Sequence, residues 1–122
     1  MPHVTSSDGT RIFYTTIGEG EPILLAHGAT HTWESWRNLG YVDALSGHYQ
    51  VVLFDLRGHG QSDRPHDRAA YALSRQKDDA LAVLDALDIA TCHVWGHSLG
   101  GRVGLSLLAE HPERLRSLIV WG

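Results

Sequence analysis

Gly96-His97-Ser98-Leu99-Gly100 fits the pattern G-x-S-x-G, a serine hydroxyl flanked by residues with almost no side chain. A serine can attack an acyl carbon if it stands exposed on a sharp turn between a strand and a helix. Both elements are predicted here: the apolar run Cys92-His93-Val94-Trp95 precedes it, and Leu99, Val103 and Leu107 follow at helical spacing. Ser98 then stands at the positive end of a helix, where developing negative charge is favoured. Gly96 and Gly100 leave room for the turn, and Gly101 and Gly104 let the helix lie close on a sheet. Acyl transfer also needs two N–H donors aimed at the developing oxyanion, one after the serine and one after an earlier strand. The backbone amides of Leu99 and of Ala29, in His27-Gly28-Ala29-Thr30, fill those two places, and Thr30 and His97 are candidate substrate contacts.

A third element, Asp55-Leu56-Arg57-Gly58-His59-Gly60-Gln61-Ser62, follows the run Val51-Val52-Leu53-Phe54. All three segments fall just past the carboxyl ends of expected parallel strands, where open α/β sheets bind ligands. Asp55 is expected to cap its own turn rather than to act in catalysis. His97 adjoins Ser98 on a strained turn, so the two side chains diverge, and the ring is expected to pack beside the site rather than serve as its base. Cys92 reads as a small buried residue in a strand. Trp33 and Trp36 are candidates for the pocket wall or for plain core packing. Nine histidines without an H-E-x-x-H pattern imply no metal. Gly58-His59-Gly60 and Gly18-Glu19-Gly20 lack the third glycine of a dinucleotide site, so no cofactor is implied.

The elements that must position these groups can be read from periodicity. Asp8-Gly9 between Val4–Ser7 and Arg11–Thr16 marks a hairpin. Four short continuous apolar runs follow: Pro22–Ala26, Val51–Phe54, Cys92–Trp95 and Leu118–Trp121. Such runs suit strands covered on both faces, the parallel-sheet pattern. Between them Ala80, Val83, Leu84 and Leu87 keep helical spacing, with Asp78, Asp79, Asp85 and Asp88 on or near the outer face. Trp33 to Leu45 is a weaker helical segment, and His111-Pro112 ends the helix after Ser98. The expected fold is α/β: an N-terminal hairpin plus a mostly parallel sheet with helices on both faces.

The 122 residues suit a single domain. A formal charge of -4, with ten Lys and Arg spread along the chain, excludes a basic face for nucleic acid. No basic segment leads into an apolar stretch at the N-terminus, and no run could span a bilayer, so a cytoplasmic protein without membrane association is expected. One cysteine fits a reducing compartment.

The order His27-Gly28, Trp36, Asp55-x-Arg57-Gly58-x-Gly60-x-Ser62, Gly96-His97-Ser98-Leu99-Gly100-Gly101 resembles the α/β-hydrolase family of esterases, lactonases and cofactor-free perhydrolases, over essentially the whole chain. The resemblance implies Ser98 as nucleophile, Ala29 and Leu99 as oxyanion donors, a structural Asp55 loop and a small-molecule acyl substrate. It also implies a catalytic acid and histidine on loops after later strands. No residue of 1–122 matches them, so the chain reads as the N-terminal portion of one such domain, inactive alone. Perhydrolysis, acyl transfer or lyase chemistry at the same site, and a non-catalytic binding protein retaining the fold, are the alternatives.

Overall fold

Successive side chains of a strand point to opposite faces, so a strand apolar at every position needs cover on both. In the computed structural model, which describes residues 2–122, β3 (Glu21–Ala26) is such a strand from Ile23 on and β4 (Tyr49–Phe54) from Val51 on. Leu24, Ala26, Val52 and Phe54 enter one core with Ala80, Val83, Leu84, Val103 and Leu107. Ile23, Leu25, Val51 and Leu53 enter a second core with Trp33, Trp36 and Val42. The helices α3 (Leu73–Ala86) and α4 (Leu99–Glu110) thus cover one face. Two short helices, α1 (Glu34–Asn38) and α2 (Tyr41–Leu45), cover the other. The single helix expected from Trp33 to Leu45 is divided by Gly40, whose φ of 88° no helix continues through.

The hairpin pairs β1 (His3–Thr5) with β2 (Arg11–Ile17) around the Asp8-Gly9 turn, and β2 runs antiparallel beside β4. With β5 (Cys92–His97) and β6 (Leu115–Trp121), the sheet order is β1-β2-β4-β3-β5-β6, and β4, β3, β5 and β6 are mutually parallel. The hairpin-plus-parallel architecture read from the sequence is therefore present. β5 runs past its apolar stretch through Gly96 and His97, and β6 starts at Leu115, ahead of its own. β6 is an edge strand, with Ile119, Val120 and Trp121 each about half exposed. No described helix is long and apolar enough to cross a membrane.

A second expectation fails. Asp79 does not lie on the outer face of α3 but is fully buried, one residue before the core residue Ala80. It faces inward because Arg57, equally buried, donates to both its oxygens. Arg57 also donates to Asp8 at 2.8 Å and to the Ala70 carbonyl at 2.6 Å. One guanidinium thus fastens the hairpin turn, the loop after β4 and α3 to each other. Burial by itself would lower the Arg57 pKa, but its hydrogen bonds to Asp79 and Asp8 hold it above its ordinary value. Arg57 holds Asp8 well below the usual carboxylate range, while burial pushes Asp79 up against the pull of the same guanidinium.

Candidate active site

Register brings the three segments together. Ala26, the last residue of β3, pairs with Phe54 on one side and Gly96 on the other, so β3, β4 and β5 deliver their following loops at one level of one sheet edge.

The loop after β5 is a single residue before α4. Ser98 has φ 54° and ψ −112°, a conformation that costs a non-glycine residue on the order of 1–3 kcal/mol and persists only where its surroundings enforce it. Enforcement comes from both neighbours. The Ser98 amide donates to the Trp121 carbonyl of β6 at 2.8 Å. The first turn of α4 lies so close on the sheet that a Cβ at Gly100 would stand 2.0 Å from the Ala26 carbonyl oxygen. Ser98 is exposed, and its hydroxyl caps nothing in the helix it precedes, so the ordinary N-cap role for a serine here does not hold. Among the described residues, no hydrogen bond reaches its Oγ.

The loop after β3 turns from Gly28 to His31, with His31 N donating to Gly28 O at 3.1 Å. Thr30 occupies the left-handed region there at φ 68°, rare for a β-branched residue. Three side-chain bonds tie this loop to the one after β4. Leu56 N donates to His27 Nε2 at 3.1 Å, Trp33 N donates to Asp55 Oδ1 at 2.8 Å, and Thr30 N donates to His59 Nε2 at 3.2 Å. Asp55 also accepts from Gln61 N at 2.9 Å, so this buried carboxylate caps its own turn, as expected, and holds the neighbouring loop besides. Its two oxygens are committed to backbone amides, which suits scaffolding rather than catalysis. His27 accepts at Nε2, so its proton is on Nδ1, directed at Gly28 O 2.8 Å away. Burial pushes its pKa down to about 4, and the neutral ring makes no ion pair with Asp55 at 4.0 Å.

Ala29 N and Leu99 N, the two amides assigned to the oxyanion, have no protein acceptor among the described residues. The Thr30 amide is engaged by His59, while the residue itself is exposed. His97 does not hydrogen-bond to Ser98. Its ring packs on Gly28, 5.9 Å from His31 and 5.3 Å from Trp121 between centroids. With those groups, Trp36 and Tyr41, it lines a cavity of about 70 Å³ beside the elbow. Trp36 therefore serves both as core and as wall, whereas Trp33 is core. Among the described residues no group of three or more His, Cys, Asp or Glu could hold a metal ion. Burial raises the Cys92 thiol to about 11, leaving it protonated and inert.

Sequence reasoning missed three contributors: His27 and His59 as acceptors for backbone amides, and Asp79 as the partner of Arg57. Their one shared signal is membership of, or contact with, the 55–62 motif.

The alpha/beta hydrolase fold family profile matches residues 21–122. Among curated proteins, epoxide hydrolase 4 of Mus musculus is 37% identical over 114 residues, covering 92% of this chain and 31% of that protein. The cis-3-alkyl-4-alkyloxetan-2-one decarboxylase of Shewanella oneidensis is 34% identical over 120 residues, covering 97% of this chain and 37% of that protein. Among solved structures, a hydrolase from Pseudomonas aeruginosa superimposes with a TM-score of 0.91 at 33% identity, covering 98% of this chain and 44% of that one. The chain thus spans less than half the length of the proteins it resembles.

Proposed function

From the premise that this chain belongs to the α/β-hydrolase fold family, we propose that the enzyme carrying it cleaves an ester, lactone or related acyl substrate through an acyl intermediate on Ser98. The observation that supports this reading most is the elbow itself: an exposed serine in an enforced, strained conformation, its hydroxyl uncommitted, with two uncommitted amides at Ala29 and Leu99 on the same sheet edge.

The relatives span several bond types, and the nucleophile discriminates among them. A hydroxyl that opened an epoxide would leave a serine alkyl ether, which water does not hydrolyse, and turnover would stop. A hydroxyl that attacks a carbonyl leaves an ester, which water cleaves by the same route in reverse. Serine at position 98 therefore favours acyl chemistry over epoxide opening. In the proposed cycle a general base takes the Ser98 proton as Oγ bonds to the acyl carbon, and the carbonyl oxygen becomes an oxyanion held by the two amides. Collapse expels the leaving alkoxide, which receives the proton. Water then attacks the acyl-serine with the same base assisting. The reading assigns the base to a histidine and its orientation to an acid, both on loops after later strands, because no group here is hydrogen-bonded to Oγ.

A fluorophosphonate probe tests the nucleophile. The active enzyme should be labelled, and Ser98→Ala should abolish the label and lower esterase activity by roughly 10⁴- to 10⁶-fold, because nucleophile and base act as a unit. Equal labelling of the alanine variant would end the assignment.

A further inference from the structure

We propose that His59 is a positioning residue for the oxyanion loop: by accepting from Thr30 N it fixes the Ala29–Thr30 peptide, and with it the shape of the turn from which the Ala29 amide, on the adjoining peptide, faces the reacting carbonyl. The inference rests on the acyl-serine reading above.

It starts from the strain at Thr30. The third residue of the Gly28–His31 turn has φ 68°, where glycine is the usual occupant and a β-branched residue is disfavoured. A flip of the Ala29–Thr30 peptide would carry Thr30 back to negative φ and relieve it. Something must oppose that flip, and the one side chain bonded to this peptide is His59, accepting from Thr30 N at 3.2 Å.

The ring is fixed in the form the task requires. His59 Nδ1 lies 3.0 Å from Arg57 O, a carbonyl that can only accept, so the proton is on Nδ1 and the lone pair is on Nε2. Flipping the peptide would replace the Thr30 N–H with the Ala29 carbonyl, setting acceptor against acceptor. The ring's mount is also rigid. His59 N donates to Leu56 O at 3.0 Å and Ser62 N to His59 O at 3.1 Å, while Arg64 donates to the carbonyls of Gly58 and Gly60 on either side. The adjoining peptide, which carries Ala29 N itself, is held separately through Gly28 O by His27 Nδ1 and His31 N. His27 and Asp55 clamp the ends of the loop from fully buried positions. His59 clamps its middle from a half-buried one, so its effect on activity is separable from its effect on folding.

The test compares His59→Phe, His59→Gln and His59→Asn in the active enzyme, with Ser98→Ala alongside. Phenylalanine keeps the ring and removes the acceptor; glutamine places an amide oxygen near the Nε2 position; asparagine is too short to reach Thr30. The phenylalanine and asparagine variants should lose roughly 10- to 100-fold in kcat, less than the loss of an oxyanion donor outright, with KM little changed. Fluorophosphonate labelling should slow in parallel while the melting temperature holds. Glutamine should restore most of kcat, and adding Thr30→Gly to His59→Phe should recover part of it, since glycine accepts the positive φ without strain. Unchanged kcat in His59→Phe, where Ser98→Ala by itself abolishes activity, would overturn the role of His59 alone. Activity surviving Ser98→Ala would instead overturn the acyl-serine reading. Should His59→Phe fail to fold, equal kcat for the glutamine and asparagine variants would overturn the proposal.

Discussion

Gly100→Ala puts one methyl group where the oxyanion loop meets the elbow. Its Cβ would stand 2.0 Å from Ala26 O, 2.5 Å from Ala26 C and 2.7 Å from His27 O, and all three atoms are backbone. Real Cβ contacts essentially never fall under 3.0 Å, so the start of α4 and the end of β3 must part by about 1.0 Å. No side chain can rotate away to absorb this. Overpacking of this kind costs about 1–3 kcal/mol, set against about 1 kcal/mol gained from alanine's better helix propensity. On the acyl-serine reading the functional cost is larger, because the displaced atoms carry Ser98 and Leu99 on one side and the loop bearing Ala29 on the other. A shift near 1 Å between nucleophile and oxyanion donors costs on the order of 10² in rate. Gly104→Ala is the internal control. Its Cβ would meet Leu118 Cδ1 at 2.7 Å, the free end of a flexible side chain, so the same helix should accept it at a cost under about 1 kcal/mol with activity retained. Steady-state kcat on a p-nitrophenyl ester, with urea unfolding of each variant, separates the two effects. A Gly100→Ala protein with parental stability and parental kcat would refute the claim that this contact sets the geometry of the site.

Two further outcomes concern stability. Arg57→Met should cost about 3–5 kcal/mol in urea unfolding, because it leaves the fully buried Asp79 without its countercharge, and adding Asp79→Leu should recover much of the loss; a cost under about 1 kcal/mol for the single change would show that the pair is not what holds the hairpin, loop and helix together. His27, depressed to about 4 by burial against about 6.5 in the unfolded chain, makes the unfolded state bind more protons as acid is added, so its stabilising contribution is full above pH ~6.5 and falls by about 3 kcal/mol toward pH ~4. His27→Gln keeps an acceptor for Leu56 N and should flatten that acid loss, measured as unfolding free energy between pH 7 and pH 4.5; parallel pH curves for the two proteins would contradict the assignment.

Chemistry expressed within a few residues of itself was legible in the sequence. The strands β3 and β4 announce themselves because every position from Ile23 to Ala26 and from Val51 to Phe54 is apolar, and only two-sided burial accounts for that. The elbow is legible because its constraint is steric and local: Gly96 and Gly100 are small where their neighbours would collide. Asp79 misled because a helix pattern assigns a charged residue to solvent unless its partner is known. That partner, Arg57, lies 22 residues upstream in a loop.

The same distance argument explains why the fastenings of the oxyanion loop could not be read. Leu56 and Thr30 each donate to a histidine 29 positions away in sequence, and no periodicity encodes a bond between two loops. Yet on the acyl-serine reading the need for such bonds follows from what the site would do. An oxyanion donor works by being fixed before charge develops, so its amide must be left without a protein partner and still be held rigid. The solution here is to bind the neighbours instead of the donor. Gly28 O is held by His27, Thr30 N by His59 and Trp33 N by Asp55, so that Ala29 N stays free while peptides on both sides of it are engaged. Asp55 and His59, polar residues of the 55–62 segment, thus bond to the backbone of the neighbouring loop, and on the acyl-serine reading it is through that backbone that they bear on the reaction.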